Sequence, residues 1–242
     1  MNKKHVRKIL GGFKSYLPGG LSIRGTGGTN SARYCYTVWL RHLSILYKNG
    51  FTKIPDTIAE LGPGDSIGTG LAGLLSGSKK FYALDVVEHT DIKKNISVFD
   101  QLVTLFTNHS TLPDDNEFPR VFPRLTSYNF PSDIFTDNHL ENFLDKSRIQ
   151  SLRNELVDIK KQKNSIRYMC PWNDPQIIES NSVDVVFSQA VLEHVEDIQH
   201  TYNSMYRWVK KGGCISNQID FESHALSDEW NGHWSFSDLT WK

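Results

Sequence analysis

The chain has 242 residues and a formal net charge of zero, which gives no electrostatic reason to expect nucleic acid or an anionic membrane as a partner. No apolar run approaches the ~20 residues that a membrane span needs, and the basic N-terminus leads into Gly11-Gly12, which makes it a poor signal peptide. Three widely spaced cysteines form neither a disulfide framework nor a metal-binding pair, so we predict a reducing, cytoplasmic location.

The N-terminal segment is predicted to be helical with a loop. Residues 1–28 are basic and then rich in Gly and Pro, which indicates a short helix followed by a mobile loop. Thr29, Asn30 and Ser31 are N-cap candidates for an amphipathic helix of roughly four to five turns that ends at Asn49-Gly50. We assign residues 1–50 to an N-terminal helical cap. The apolar face of the predicted helix is formed by Val38, Trp39, His42, Leu43, Ile45 and Leu46.

A strand, a helix and a second strand follow. Residues 57–62 and 81–87 are short buried strands, and 71–75 is the helix between them, so together they predict a parallel β-α-β unit. Residues 88–164 are too long for one crossover helix. They contain helical spacing, a Pro-rich loop and a charged helix over 138–161, so we predict an insertion that serves as a lid or substrate-recognition element.

The alternation of strands and helices then returns. We predict strands at 165–170, 182–188 and 214–221, with a helix over 196–209 that a Gly-Gly turn terminates. Five strands with helical crossovers predict an α/β doubly wound sheet whose ligand lies at the carboxyl ends of the strands. The main domain covers 51–221 and the C-terminal tail 222–242.

The turn after the first strand carries the clearest chemical signal. Gly62 and Gly64 leave room for a ligand near the backbone, and the next helix is expected to offer free N–H groups. Asp85, about 20 residues later, is placed to accept hydrogen bonds from ribose hydroxyls. The third glycine comes one residue later than the dinucleotide fingerprint requires. Glu60 and Asp65 oppose a pyrophosphate and suit a cationic ligand.

These segments resemble those of a known family. Residues 60–65 resemble motif I of class I S-adenosylmethionine-dependent methyltransferases, and Asp85 matches the acidic residue that ends their second strand. Residues 182–195 resemble their fourth strand and the turn after it, and 210–215 resemble the Gly-Gly turn before strand five. The resemblance implies a Rossmann-like methyltransferase sheet with S-adenosyl-L-methionine as its cofactor.

The flanking segments 29–36 and 229–234 are similar to those of bacterial methyltransferases associated with surface glycans. The family adds two strands after strand five. We therefore expect the chain to be truncated after residue 242 or to have an unusual tail.

The resemblance also implies roles for individual residues. The turn with Glu60 would line the methionine part of the cofactor, Asp85 would hold the ribose, Val86 and the residues after strand three would approach the adenine, and the end of strand four would meet the amino-acid end. Asp174 falls slightly late for the acidic residue that many relatives carry there. The implied cofactor-binding residues are Glu60, Leu61, Gly62, Pro63, Gly64, Asp65, Asp85, Val86, Cys170, Pro171, Trp172, Ser188 and Gln189.

Two residues are candidates for catalysis. His194 follows strand four and could act as a general base, or it could cap or pack the next helix. Asp220 ends strand five and could face the acceptor, or it could be an ordinary carboxylate at a strand end. His224 and His233 have no metal-ligand spacing, so no metal is expected.

We predict methyl transfer to a small molecule or glycan precursor at oxygen. Two alternatives stay open: an NAD-dependent oxidoreductase, and a non-catalytic binding module with a methyltransferase fold. Oligomeric state is not predicted. Arg33, Tyr34 and Tyr36 either close over the cofactor or pack against the sheet.

Overall fold

The computed structural model describes residues 28–118, 121–161, 165–222, 229–235 and 237. The helix and loop predicted before residue 28 lie outside this part of the chain. The chain divides into a compact unit, Thr26–Gln218, and a second unit made of Met1–Gly25 and Ile219–Lys242. Within the described ranges, no helix is both long and apolar enough to cross a membrane.

The first unit is built on five parallel strands in the order β3-β2-β1-β4-β5. The chain runs outward from β1 to β3 and then returns to the other side of β1, so the order reverses between β1 and β4. In open parallel sheets this reversal leaves a crevice at the carboxyl ends of the strands. The predicted doubly wound α/β fold is confirmed. The strands are β1 (Thr57–Leu61), β2 (Lys80–Leu84), β3 (Ile166–Met169), β4 (Val183–Gln189) and β5 (Val209–Gln218).

Six α-helices are described. Ser31 caps the first of them and accepts a hydrogen bond from the Tyr34 amide, as its N-cap position predicts. The charged helix predicted over 138–161 is two helices, because the Asp145 side chain accepts the Ser147 and Arg148 amides and starts a new one. The helices are α1 (Ala32–Lys48), α2 (Gly68–Leu75), α3 (Ile92–Thr107), α4 (Asp137–Phe143), α5 (Lys146–Val157) and α6 (Ile198–Trp208).

The bounds of two strands differ from prediction by more than one residue. β2 ends at Leu84, so Asp85 is the first residue after the strand. β5 begins at Val209 and contains the predicted Gly-Gly turn as a bulge, in which the single residue Asp184 of β4 lies opposite the four residues 210–213. Gly212 allows the bulge because it adopts a φ of +79°. β5 therefore starts and ends at earlier residues than predicted. Asp220 lies after the end of β5, in the second unit.

The core joins the N-terminal helix to the predicted insertion. Trp39 of α1 is fully buried, and its indole N–H donates to Ser76 Oγ at 2.7 Å. Phe99 of α3 and Leu156 of α5 belong to the same apolar cluster. Helices from the 88–164 segment thus cover the sheet, while the domain boundaries and the lid role stay predictions.

The loop between α3 and α4 contacts α1. Arg33 forms an ion pair with Glu117 at 2.8 Å, and its Nη1 donates to the Thr111 carbonyl at 2.6 Å. The buried Tyr36 donates its hydroxyl proton to the Ser110 carbonyl at 2.6 Å. Arg33 and Tyr36 therefore connect α1 to the segment between α3 and α4.

The contact between α2 and β2 gives a test of this packing. A Cβ added at Gly70 would overlap the ring of the fully buried Phe81. Gly70→Ala should therefore lower the free energy of unfolding by roughly 1–3 kcal/mol through overpacking, although Ala is the better helix former. The midpoint of urea unfolding measures this change.

The double variant Gly70→Ala/Phe81→Leu is the control for this prediction. Leu frees space at the contact, so the two changes together should cost less than the sum of the single changes. A Gly70→Ala protein that is more stable than the wild type would contradict the packing described above.

Candidate functional site

The turn after β1 is shaped by two glycines. Gly62 and Gly64 adopt φ angles of +63° and +76°, in the left-handed region that other residues rarely occupy. A Cβ added at Gly62 would lie 2.6 Å from Val191 Cγ2. The turn therefore packs closely against the segment that follows β4.

Asp85 lies next to this turn. Its side chain accepts the Tyr168 hydroxyl at 3.1 Å, and the Gly64 N–H also donates to it. Burial outweighs these hydrogen bonds and the nearby His89, and it raises the pKa of Asp85 to about 6. A carboxylate so buried, with room for further donors, is suited to hydroxyl groups of a ligand.

A cavity of about 440 Å³ extends from Asp85 and the turn to the segment after β4. Its volume lies within the ~300–1,000 Å³ typical of small-molecule sites. It lies at the carboxyl ends of β1 and β2, where the sheet topology predicts a ligand. We call it the nucleoside cavity. Six predicted site residues line it: Leu61, Gly62, Asp85, Val86, Trp172 and His194.

Glu60 is directed toward α2. Its carboxylate accepts the Gly70 N–H at 3.2 Å and a hydrogen bond from the Thr69 side chain. Burial raises the pKa of Glu60 to about 8, and the negative charge of Asp85 acts in the same direction. Glu60 therefore stabilises the start of α2 through these hydrogen bonds. It is not among the described residues that line the nucleoside cavity.

The prediction of free N–H groups at the start of α2 is wrong for the amides of residues 66–68. The Ser66 amide donates to Thr29 Oγ1 at 3.2 Å, and the Ile67 amide donates to Asn95 Oδ1 at 3.0 Å. The Gly68 amide donates to Ser66 Oγ at 3.2 Å. Side chains from before α1 and from α3 thus occupy the donors that a phosphate would use at a helix N-terminus.

The predicted residues after β3 divide between packing and the cavity. Trp172 is buried and packs edge-on against Trp208, with ring centroids 5.6 Å apart. The backbone N–H of Trp172 donates to the Asp85 carbonyl at 3.0 Å. Burial raises the pKa of the Cys170 thiol, and Pro171 is exposed. Asp174 accepts the Gln176 amide at 2.8 Å, so it caps a short 3-10 helix.

The remaining predicted cofactor residues lie in the turn or at the end of β4. Pro63 and Asp65 are buried within the turn. Ser188 donates to Asn217 Oδ1 at 2.8 Å, and Gln189 donates to the side chain of Gln218 at 2.9 Å. Ser188 and Gln189 are therefore tied to β5.

The catalytic candidates lie in different parts of the chain. His194 ends a 3-10 helix, Leu192–His194, and is exposed at the wall of the nucleoside cavity. Asp220 belongs to the second unit, where it accepts the Glu222 amide at 2.8 Å. His224 and the His233 side chain lie outside the described residues.

Two buried polar groups were not predicted as site residues. Both carboxylate oxygens of Glu193 are buried and have no hydrogen-bond partner in the described part of the chain. The same holds for Nε2 of His42. A signal for His42 existed in the sequence, because it is the one polar residue on the predicted apolar face of the first long helix. No three His, Cys, Asp or Glu side chains among the described residues form a group that could hold a metal.

Comparison with known proteins gives one family match. Residues 149–216, which run from α5 into β5, match the family model described as a methyltransferase domain. No curated protein matches the chain.

Several solved structures are similar to it. The YcgJ protein from Bacillus subtilis matches with 9% identity and a TM-score of 0.37, over 76% of this chain and 52% of that one. A phosphoethanolamine N-methyltransferase from Haemonchus contortus, in complex with S-adenosyl-L-methionine, matches with 16% identity and a TM-score of 0.38, over 84% of this chain and 36% of that one. The chain thus spans about half or less of the length of these two proteins.

The family match covers β3, β4, α6 and most of β5, which lie on both sides of β1 in the observed sheet. The same stretch contains the segment after β4 that closes the nucleoside cavity. The match covers well under half of the chain and identifies a methyltransferase domain in this stretch.

Proposed function

We propose that the chain is an S-adenosyl-L-methionine-dependent methyltransferase. The observation that carries this proposal is the buried Asp85 carboxylate beside the Gly62–Gly64 bend, with a cavity of about 440 Å³ joining them. These residues fit the cofactor: Asp85 would accept the ribose hydroxyls, Val86 and Trp172 would flank the adenine, and the glycine turn would face the methionine part.

The electrostatics of the turn also support a cationic ligand. Asp65 and Asp85 are buried at or beside it, and the carboxylate oxygens of Glu193 are buried as well. Buried carboxylates gain from a positive charge nearby, because the interior screens charges weakly. A cofactor with an ammonium and a sulfonium would supply that charge.

When bound, the cofactor would supply an electrophilic methyl group, with its sulfur as the leaving group, and the acceptor oxygen would give up its proton to the protein. The protein must hold the acceptor in line with the methyl–sulfur bond, which lowers the barrier by positioning. His194, exposed at the cavity wall, is proposed as the group that receives the proton. Asp220 stays a prediction in this role.

The acceptor is proposed to be a small molecule or glycan precursor methylated at oxygen. The similarity of segments 29–36 and 229–234 to glycan-associated methyltransferases supports this class. A cytoplasmic location is proposed as well, in keeping with the free thiols of Cys35, Cys170 and Cys214.

The NAD-dependent alternative is disfavoured by the occupied amides before α2. A pyrophosphate would have to displace Thr29, Asn95 and Ser66 from those donors and would then lie close to buried carboxylates. Calorimetric titration with NAD should give no heat of binding, whereas titration with S-adenosyl-L-methionine under the same conditions should give a dissociation constant in the micromolar range. Turnover of S-adenosyl-L-methionine to S-adenosylhomocysteine would eliminate the non-catalytic alternative.

Replacing Asp85 tests the ribose contact. Asp85→Ala should weaken S-adenosyl-L-methionine binding roughly 100-fold or more, because hydrogen bonds to a charged group are each worth ~1.5–3 kcal/mol. Gly64→Val should abolish binding, since a branched residue is strained at a φ of +76°. Calorimetry measures the dissociation constants, and thermal unfolding checks that each variant folds.

The matched control for these variants is Asp133→Ala, which removes an exposed carboxylate far along the chain from the turn. It should leave the dissociation constant unchanged. Wild-type affinity in Asp85→Ala would refute the proposed ribose contact.

The raised pKa of Asp85 predicts a pH dependence of binding. The free protein takes up a proton on Asp85 as the pH falls below about 6, whereas the complex favours the carboxylate. Binding then releases that proton, so affinity should fall about 10-fold between pH 7.5 and pH 5.0. Calorimetry at the two pH values measures the change.

Asp85→Asn provides the comparison for the pH effect. The pKa of Glu60 is also raised, to about 8, so the contribution of Asp85 is the part of the pH dependence that this variant loses. An identical pH profile in both proteins would show that another group is responsible.

A further inference from the structure

The turn after β1 is held in two halves by different parts of the fold. Its first half is fixed by groups at the end of β2, because the Gly62 N–H donates to the Leu84 carbonyl at 2.8 Å and the Gly64 N–H donates to Asp85. Its second half, residues 65–68, leads into α2. Side chains from outside the sheet contact this second half.

Thr29, which precedes α1, makes two hydrogen bonds to Ser66. The Thr29 hydroxyl oxygen accepts the Ser66 N–H at 3.2 Å, and the Thr29 carbonyl accepts the Ser66 hydroxyl. The same carbonyl accepts the Cys35 thiol at 3.3 Å, which connects the contact to α1. Thr29 is 9% exposed and Ser66 is fully buried. Removing the Thr29 hydroxyl would therefore leave the Ser66 amide without this acceptor inside the protein, which is costly.

Asn95, in the first turn of α3, makes the corresponding contact with the next residue of the turn. Its Oδ1 accepts the Ile67 N–H at 3.0 Å, and its Nδ2 donates to Thr90 Oγ1 at 2.9 Å. The Asn95 side chain is fully buried. Thr90 belongs to the loop that follows Asp85, so this one side chain joins the turn after β1 to the loop after β2.

The packing around Gly68 shows how closely α1 and α3 approach the start of α2. A Cβ added at Gly68 would lie 2.5 Å from Cys35 Sγ and 2.7 Å from Val98 Cγ1. The start of α2 is thus enclosed by both helices and has little room to shift. The hydrogen bonds of Thr29 and Asn95 therefore act on a segment that packing already confines.

Holding the second half of the turn has a consequence for ligand affinity. Gly62 and Gly64 give the turn its left-handed bends, but glycine loses more conformational freedom on ordering than any other residue. A turn that is held in its binding form before the ligand arrives keeps that cost out of the binding free energy. In the proposed function the turn faces the methionine part of the cofactor, whereas Asp85 meets the ribose.

We propose that Thr29 and Asn95 are positioning residues for the cofactor, which act through the Ser66 and Ile67 amides to hold the turn ready for its methionine part. This inference rests on the proposed methyltransferase function. Neither Thr29 nor Asn95 is among the described residues that line the nucleoside cavity, so their effect is indirect. Affinity for the nucleoside part should then depend on the sheet, and affinity for the methionine part on α1 and α3.

Two ligands separate these contributions, because S-adenosylhomocysteine carries both parts and adenosine carries the nucleoside alone. Thr29→Val removes the hydroxyl and should weaken S-adenosylhomocysteine binding about 10-fold, while adenosine binding changes by less than about 2-fold. Asn95→Leu should act in the same direction. Thr29→Ser keeps the acceptor oxygen and should bind both ligands as the wild type does. Calorimetry measures the first ligand, and NMR titration measures adenosine.

The matched control is Thr37→Val, a buried threonine of α1 whose hydroxyl donates to the Arg33 carbonyl at 2.7 Å. It should leave the ratio of the two affinities unchanged. A merely structural role for Thr29 would lower stability and weaken both ligands equally in Thr29→Val, and that result would overturn the inference. Unchanged S-adenosylhomocysteine binding in Thr29→Val would overturn it as well.

Hydrogen exchange of the wild type gives a second test that does not depend on the folding of a variant. Coupling between sites is reciprocal, so a ligand that needs the held turn must also stabilise the hydrogen bonds that hold it. Saturating S-adenosylhomocysteine should slow exchange of the Ser66 and Ile67 amides at least about 5-fold more than saturating adenosine does. Equal slowing by the two ligands contradicts the inference. If the wild type does not bind S-adenosylhomocysteine at all, the proposed function itself fails.

Discussion

The Asp85 carboxylate, buried just after β2, accepts the Tyr168 hydroxyl at 3.1 Å and the Gly64 N–H. These two hydrogen bonds tie the end of β3 and the turn after β1 to one side chain. The position of the glycine bend, and with it the shape of the nucleoside cavity, depends on that carboxylate. Burial raises its pKa, which shows that the protein itself leaves the charge incompletely compensated and that hydroxyl donors from a ligand would be favourable.

The helix α1 packs against the sheet on one face and contacts the segment after α3 on another. Its buried face carries Trp39 into the core and places His42 over β5, while Arg33 and Tyr36 hold the loop between α3 and α4. The same helix therefore supports the sheet and anchors the loop between α3 and α4. A segment predicted from its sequence to be a cap is thus part of the packed structure around the sheet.

Much of this arrangement could be predicted from the sequence. The alternation of buried strands and helices predicts the parallel sheet, and the spacing from Gly62 to Asp85 places the carboxylate beside the turn. What failed has physical reasons. The Ile67 amide is engaged by the side chain of Asn95, a residue of α3 that is distant in sequence. The β5 bulge depends on register against β4, which local patterns do not specify.

The surroundings of His42 were harder to predict for the same reason. His42 follows the spacing of the apolar face of its helix, and only the fold shows that its Nδ1 lies 2.8 Å from Ser216 Oγ. His194 was predicted from its place after β4, and it does line the nucleoside cavity. Asp220 was misplaced because β5 ends at Gln218.

The internally bonded start of α2 has a consequence for how this turn could be redesigned. Its amides are engaged by Thr29 from the entry to α1, by Asn95 from α3 and by Ser66 within the turn. Grafting a phosphate-binding loop between β1 and α2 would leave the first two acceptors in place. Converting the fold to a nucleotide-diphosphate cofactor therefore requires changes on three separate segments.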